Sequence, residues 1–190
     1  MATHVRTQCE TQVDVLIVGG GFVGNTLAAA LAGTGVSSAM VDTVDLREAI
    51  DAEFDGRSFA ISLSNQRLLE GTGIWSGLAE RTAPILDIRI SDGPSLMFLH
   101  YDHRETGDEP MGFMVENHHL RRAHYECLQA ADDVRVFAPD RVARLTRDRH
   151  GVSAELQSGG KVRARLVVGA DGRNSMVRAD AGIASTKWTY

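Results

Sequence analysis

Val13-Asp14-Val15-Leu16-Ile17-Val18-Gly19-Gly20-Gly21-Phe22-Val23-Gly24 is the stretch on which the fold turns. Val13 to Val18 is a nearly continuous apolar run with β-branched side chains, the pattern of a strand buried on both faces in a parallel sheet. From Val23 the spacing becomes helical, with Val23, Leu27, Ala30 and Leu31 on one face, until Gly33 and Gly35 supply a stop. Val36 to Val41 then reads as a second strand. Strand, helix and strand follow at the spacing of a right-handed crossover, which sets the two strands side by side.

Gly19, Gly21 and Gly24 stand at the three positions of the dinucleotide-binding fingerprint, between the expected strand and helix. The first permits the tight turn, the second lets a pyrophosphate approach the backbone, and the third lets helix and strand pack closely. Phe22 and Val23 lie between the last two of these glycines, where the amino end of the helix offers unpaired N–H groups to phosphate. Asp42 ends the second strand, 18 residues after Gly24, where a carboxylate accepts hydrogen bonds from adenosine ribose hydroxyls. A structural glycine turn and a solvated loop aspartate are the competing readings, and the order of the elements favours dinucleotide binding. These residues alone do not separate NAD from FAD, since both use the same loop.

Composition narrows the class. The chain has 190 residues, enough for one domain with an inserted lobe, and its 43% hydrophobic and 24% charged content is that of a soluble globular protein. A net charge of -5 offers no clustered cationic surface for nucleic acid. Two cysteines, Cys9 and Cys127, make neither a disulfide framework nor a metal cage, which fits a reducing, cytoplasmic setting. Residues 1–12 lack the apolar segment of a secretory signal and the arginines of a transit helix, and they are expected to form a disordered tail.

Downstream, residues 46–52 read as a short helix in a polar loop, and Asn65 to Trp75 as a helix interrupted by Gly71 and Gly73. Alternation in Ile85 to Ile90 and in Leu96 to Tyr101 around Asp92-Gly93 predicts an antiparallel hairpin, so 84–115 reads as an insertion of antiparallel strands within a domain spanning 13–190. Met97, Phe98, Met111, Phe113 and Met114 line either an apolar pocket or a packed β-face. Asn117 can cap a helix through Ala131, followed by strands at Val134 to Ala138, Arg141 to Arg147, Val152 to Gln157 and Lys161 to Val168.

Two later segments, with the glycine loop, carry a resemblance. Asp55-Gly56-Arg57-Ser58-Phe59-Ala60-Ile61-Ser62, followed by Gly73-Ile74-Trp75, and Leu166-Val167-Val168-Gly169-Ala170-Asp171-Gly172-Arg173-Asn174-Ser175, resemble the flavoprotein aromatic hydroxylases related to para-hydroxybenzoate hydroxylase, most of all the ubiquinone-biosynthesis branch. The resemblance implies that Arg57 reaches the flavin pyrophosphate, as a guanidinium suits phosphate oxygens, and that Asp171 helps to hold the arginine segment and both cofactors' pyrophosphates, so that Arg57 and Asp171 would meet. Val115-Glu116-Asn117-His118-His119-Leu120 resembles the segment where a side chain touches the flavin's ribityl or phosphate portion. Asn117 stands there where many relatives carry Arg or Gln, and a helix cap is an equally good reading.

The resemblance implies an α/β fold: a Rossmann-like FAD/NAD(P)-binding domain with a parallel sheet and inserted antiparallel strands of a substrate domain, truncated at about half the family's usual length. It also implies FAD as cofactor, NAD(P)H and O2 as co-substrates, and a small aromatic or prenylated phenol as substrate; a lipid substrate would bring the protein to a membrane surface. The missing carboxy-terminal half would supply the groups around the reactive ring, so the chain by itself is expected to be inactive and no catalytic residue is assigned. A non-catalytic dinucleotide-binding fragment, a flavin reductase and a halogenase are the alternatives. His100, His103, His118, His119 and His124 invite a metal site. None is expected, because adjacent histidines point to different sides of a helix and no carboxylate completes a ligand set.

Overall fold

The computed structural model describes residues 10–48, 50, 54–186 and 188. In chain order its elements are β1 (Thr11–Val18), α1 (Phe22–Leu31), β2 (Ser38–Val41), β3 (Ser58–Ser62), α2 (Leu63–Gly71), β4 (Thr82–Ile85), β5 (Asp87–Ser91), β6 (Phe98–Asp102) and β7 (Gly112–Glu116). They continue with α3 (Asn117–Gln129), β8 (Val134–Phe137), β9 (Val142–Asp148), β10 (Gly151–Leu156), β11 (Lys161–Gly169) and α4 (Met176–Asp180). Two compact units result, one from the described residues within Met1–Ala49 and Leu128–Tyr190, the other from those within Ile50–Cys127.

The first unit is built on a six-stranded sheet in the order β8-β2-β1-β11-β10-β9. β1 lies in its interior, parallel to β2 on one side and to β11 on the other, with Val18 level with Val41 and with Gly169. β8 extends the parallel part beyond β2, whereas β10 and β9 join as antiparallel strands. Alternation along β1 sends Leu16 into a cluster with Ala39, Val162, Ala154 and Val177, and Ile17 to the opposite face with Ala28, Met40 and Leu128. Leu16, Ile17 and Met40 are fully buried, and each such side chain contributes about 1.5–3 kcal/mol through removal from water. This is why the Val13–Val18 run reads as continuously apolar: both faces of the strand are covered.

The second unit holds a three-stranded antiparallel sheet, β3-β7-β4, and a separate β5-β6 hairpin. Ile61, Leu69, Ile74, Trp75, Leu78, Val115, Leu120 and Ala123 are its buried apolar residues. Trp75 sets its ring edge-on to Phe113 at 5.1 Å. In the hairpin, Ile88 faces Tyr101 and Ile90 faces Leu99, and all four are exposed.

Several expectations need correction. β1 begins at Thr11, because Thr11 and Gln12 pair with Val162 and Arg163, and a backbone ladder needs no apolar side chain. The remainder of the expected tail, residues 1–9, lies outside the described residues, as do residues 49, 51 and 52 of the short helix expected over 46–52; residues 46–48 form a turn. α1 buries Gly24, Asn25, Ala28 and Ala29, while Val23 and Ala30 are exposed. Close approach at Gly24 decides that face, and the smallest residues outcompete the larger apolar ones for it. The alternating run at 85–90 is split, since β4 ends at Ile85 and pairs with β7 while β5 pairs with β6. The helix expected over Asn65 to Trp75 ends at Gly71, and Gly73, with φ of +82°, starts a short 3-10 turn over Ile74–Gly77.

Candidate functional site

The turn between β1 and α1 consists of Gly19, Gly20 and Gly21. Gly19 has φ of +107°, and a Cβ there would run into the Ala170 carbonyl; a Cβ on Gly24 would overlap the Gly19 carbonyl. Both positions therefore exclude larger residues for reasons internal to the protein. Gly21 differs: a Cβ added to it meets no protein atom within 4 Å, and the residue caps α1 without a side-chain acceptor. The space beside Gly21 and the amino end of α1 suits an anionic group that accepts backbone hydrogen bonds.

Gly20 is held from both sides. Its N–H donates to Oδ2 of Asp42, and its carbonyl accepts from Nδ2 of Asn25 at 2.8 Å. Oδ1 of Asp42 accepts the Val44 N–H at 2.7 Å, so the carboxylate fixes both the glycine loop and the chain leaving β2. The Asn25 side chain is buried, and its Oδ1 has no hydrogen-bond partner among the described residues. Sequence reasoning missed Asn25, which reads as an ordinary polar residue in a helix; its place directly after Gly24, on the face that must pack against the loop, was the available signal.

A cleft of about 560 Å³ opens at the carboxyl ends of the parallel strands, lined among others by Gly19, Gly21, Asp42, Asp140, Arg141 and Asp171. Ligands of open α/β sheets bind at this end. Asp140 and Arg141 were also missed by sequence reasoning, though they follow β8, whose carboxyl end points the same way as those of β1 and β2. The Asp140 N–H donates to the Asp42 carbonyl at 2.7 Å, and its carboxylate accepts from Ser158 Oγ at 2.5 Å. Asp171 accepts from Ser175 Oγ at 2.5 Å and from the Met176 and Val177 amides at 2.7 and 3.2 Å, so it holds the first turn of α4 together with Ser175, the N-cap residue. Burial pushes its carboxyl up, but these hydrogen bonds outweigh it and hold the pKa below the ordinary value.

In the second unit, Arg57 pairs with Asp55 through Nε at 2.8 Å and a terminal nitrogen at 2.5 Å. Asn117 donates its side-chain amide to the same carboxylate at 2.6 Å, and its backbone N–H to the Arg57 carbonyl at 2.9 Å. Asn117 is buried, while Arg57 is exposed. The guanidinium, foremost, holds the Asp55 carboxyl far below the usual range, with the Asn117 hydrogen bond acting the same way. Asn117 thus acts on the arginine segment. Arg57 and Asp171 each have a local partner, Asp55 and Ser175, one in each unit.

The premise that adjacent histidines diverge is overturned. His118 and His119 have ring centroids 3.9 Å apart, and Glu116 approaches His118 Nδ1 at 3.5 Å and His119 Nε2 at 3.9 Å. The divergence rule describes side chains within a regular helix. Here β7 gives way to α3 at Glu116 and Asn117, and at that junction the two rings lean together beside the last strand residue. Burial foremost, with the neighbouring His118 and Arg81, lowers the pKa of His119. Of the other candidates, His100 pairs with Asp87 at 2.7 Å, and His124 is buried with Nδ1 2.7 Å from the Leu120 carbonyl.

A second, open cleft of about 690 Å³ lies in the second unit, lined by Ala60, Pro84, Ile85, Leu86, Ile88 and Met114 among others. Of the apolar residues considered for a pocket, only Met114 lines it; Met97 and Phe98 are exposed, and Phe113 packs on Trp75.

Comparison with known proteins is consistent with this geometry. The family described as FAD binding domain matches residues 12–189. The chain is 53% identical over 179 residues to the ubiquinone hydroxylase UbiL of Rhodospirillum rubrum, covering 94% of this chain and 42% of that protein. It is 34% identical over 179 residues to 3-demethoxyubiquinol 3-hydroxylase of Escherichia coli, covering 93% of this chain and 46% of that protein. Among solved structures, PqsL, a probable FAD-dependent monooxygenase from Pseudomonas aeruginosa, superposes with a TM-score of 0.76 at 25% identity, over 95% of this chain and 48% of that one. The chain thus spans under half the length of these relatives.

Proposed function

Since the chain belongs to the FAD-binding-domain family over residues 12–189, we propose that it forms the FAD-gripping part of a flavin monooxygenase that hydroxylates an aromatic ring, a ubiquinone-precursor phenol, with NAD(P)H and O2. The observation that carries this reading is the open space beside Gly21 at the start of α1, with the Asp42 carboxylate beside it in one cleft. FAD supplies the oxygen and hydride chemistry when bound.

The chain's own residues bind and orient. Gly19, Gly21, Phe22, Val23 and Gly24 present the backbone at the pyrophosphate, and Asp42 accepts from the adenosine ribose while it holds Gly20 in place. Arg57, steadied by Asp55 and Asn117, meets the phosphates in the forked geometry of a guanidinium. Asp171 shapes the same end of the cofactor by fixing the turn before α4. A double-mutant cycle of Arg57→Ala and Asp171→Asn tests the last pair: non-additive losses of flavin affinity support a shared pyrophosphate, and additive losses contradict it.

Binding and turnover are separable. The apolar cleft around Met114 and the exposed apolar face of the β5-β6 hairpin suit contact with an aromatic substrate or with further chain, and neither excludes water here. We therefore assign the 190 residues flavin binding without hydroxylation, since such chemistry needs a closed site. A titration of the purified chain with FAD, followed by the change in visible absorption, tests the first part. Incubation with FAD, NADPH, O2 and a panel of phenols tests the second, and product at about 1 per second contradicts it. Among the described residues no helix is long and apolar enough to cross a membrane; approach to a membrane through a lipid substrate belongs to the same proposal.

A further inference from the structure

We propose that Glu116, His118 and His119 form a binding site for a divalent metal ion of the zinc class at the junction of β7 and α3.

One ligand atom from each of the three side chains lies within 4.8 Å of the others, and the Glu116 carboxylate lies 3.5 Å from His118 and 3.9 Å from His119. Zinc bonds of about 2.0–2.1 Å in tetrahedral array place ligand atoms roughly 3.3–3.5 Å apart. By separation, the ligand atoms need to close by about an ångström to reach metal geometry, which is within the reach of side-chain rotation.

A second observation points the same way. Nδ1 of His118 is buried and has no hydrogen-bond partner among the described residues. Such an atom is a cost to the fold unless something accepts its lone pair or its proton. Glu116 stands beside it at 3.5 Å, too far for a good hydrogen bond even from a protonated Nδ1, and a cation placed between them engages both. Two imidazoles and one carboxylate match the preference of zinc over magnesium or calcium, and three protein ligands leave a fourth position for water.

Arg81 and Arg122 are the cations whose charge opposes the assignment, and the Arg81 guanidinium lies 3.5 Å from Nδ1 of His119. Metal on Nε2 leaves the ring proton on Nδ1, facing that guanidinium. Arg81 is exposed at the end of a short turn, so its long side chain swings into solvent at little cost.

Metal binding has a structural consequence whether or not Asn117 meets a flavin. Asn117 sits between the ligands in sequence and holds Asp55, which in turn holds Arg57. An ion bound to residues on both sides of Asn117 stiffens the junction from which the Arg57 segment is held.

The test is a titration of the tag-free, chelator-treated full chain with CoCl2, monitored in the visible region. The expected result is a saturable d–d band at one ion per chain, displaced by ZnCl2. His118→Ala and His119→Ala, and the near-isosteric Glu116→Gln, each weaken binding tenfold or more, whereas His100→Ala leaves it unchanged. Circular dichroism verifies that each variant is folded, and Glu116→Gln decides the matter if a histidine variant is not. Absence of saturable binding in the parent chain overturns the proposal, as does a site that persists in the ligand variants.

Discussion

The amide of Gly20 donates to the Asp42 carboxylate, which joins the glycine loop after β1 to the end of β2 across 22 residues of sequence. The side chain proposed to hold the ribose is therefore also part of the loop proposed to hold the pyrophosphate. Asn25 completes the arrangement by donating to the Gly20 carbonyl from inside α1.

Gly21→Val separates binding from folding. Apart from its immediate chain neighbours, no protein atom lies within 4 Å of the new Cβ, so the thermal midpoint of the flavin-free protein stays close to that of the parent. The added side chain fills the space proposed for pyrophosphate, and flavin affinity falls by tenfold or more. Gly24→Ala is the contrast, because its Cβ overlaps the Gly19 carbonyl and the fold itself is damaged. Calorimetry and a flavin titration on the two variants distinguish these outcomes; parental affinity in Gly21→Val contradicts the site.

Asp42→Asn keeps the shape and removes the charge. The carboxylate accepts from two backbone amides, at Gly20 and Val44, and an asparagine oxygen replaces only one of these acceptors. Hydrogen bonds to a charged group are worth about 1.5–3 kcal/mol each, so flavin affinity and stability of the free protein both fall. Urea unfolding with and without FAD measures the two effects.

Asn25→Ala leaves the Gly20 carbonyl without its side-chain donor while removing a buried unpaired oxygen, Asn25 Oδ1. These act in opposite directions, at about 1–3 kcal/mol for each unsatisfied group, so stability changes little. The loop, however, loses its inner restraint. The expected readout is faster amide hydrogen exchange at Gly20 and Gly21, with weaker flavin binding; unaltered exchange removes Asn25 from the positioning of the loop.

Acid should destabilise the chain through His124. Burial lowers its pKa from 6.5 despite the opposing hydrogen bond to Leu120, so the folded state binds the proton less readily than the unfolded state. Its stabilising effect is full above pH 6.5 and is lost as pH falls from there toward the folded pKa. His119, also lowered, acts in the same direction. Urea midpoints at several pH values below 6.5 should fall less steeply in His124→Gln than in the parent; equal slopes exclude His124 as a source of the dependence.

The strand–loop–helix–strand order at Val13 to Val41 was legible in the sequence because its causes are local. Continuous apolar residues report a strand covered on both faces, and three glycines at fixed spacing report a turn that admits little else. The antiparallel hairpin was legible from alternation, yet the change of partner at Leu86 was not, since a period of two does not say which strand lies alongside. Helical periodicity placed α1 but assigned Val23 and Ala30 to its buried face, and contact with the Gly19 carbonyl turned Gly24 and Asn25 inward instead.

What the sequence determined by itself was the α/β class, the glycine loop and its polarity relative to the strands. These follow from backbone freedom and burial over a few consecutive residues. The tertiary structure alone decided that Asp140 and Arg141 share a cleft with Gly21, because sheet order carries β8 alongside β2 from the far half of the chain. It also decided that Glu116, His118 and His119 converge. No periodic rule applies where a strand becomes a helix, so the direction of each side chain there is set by packing.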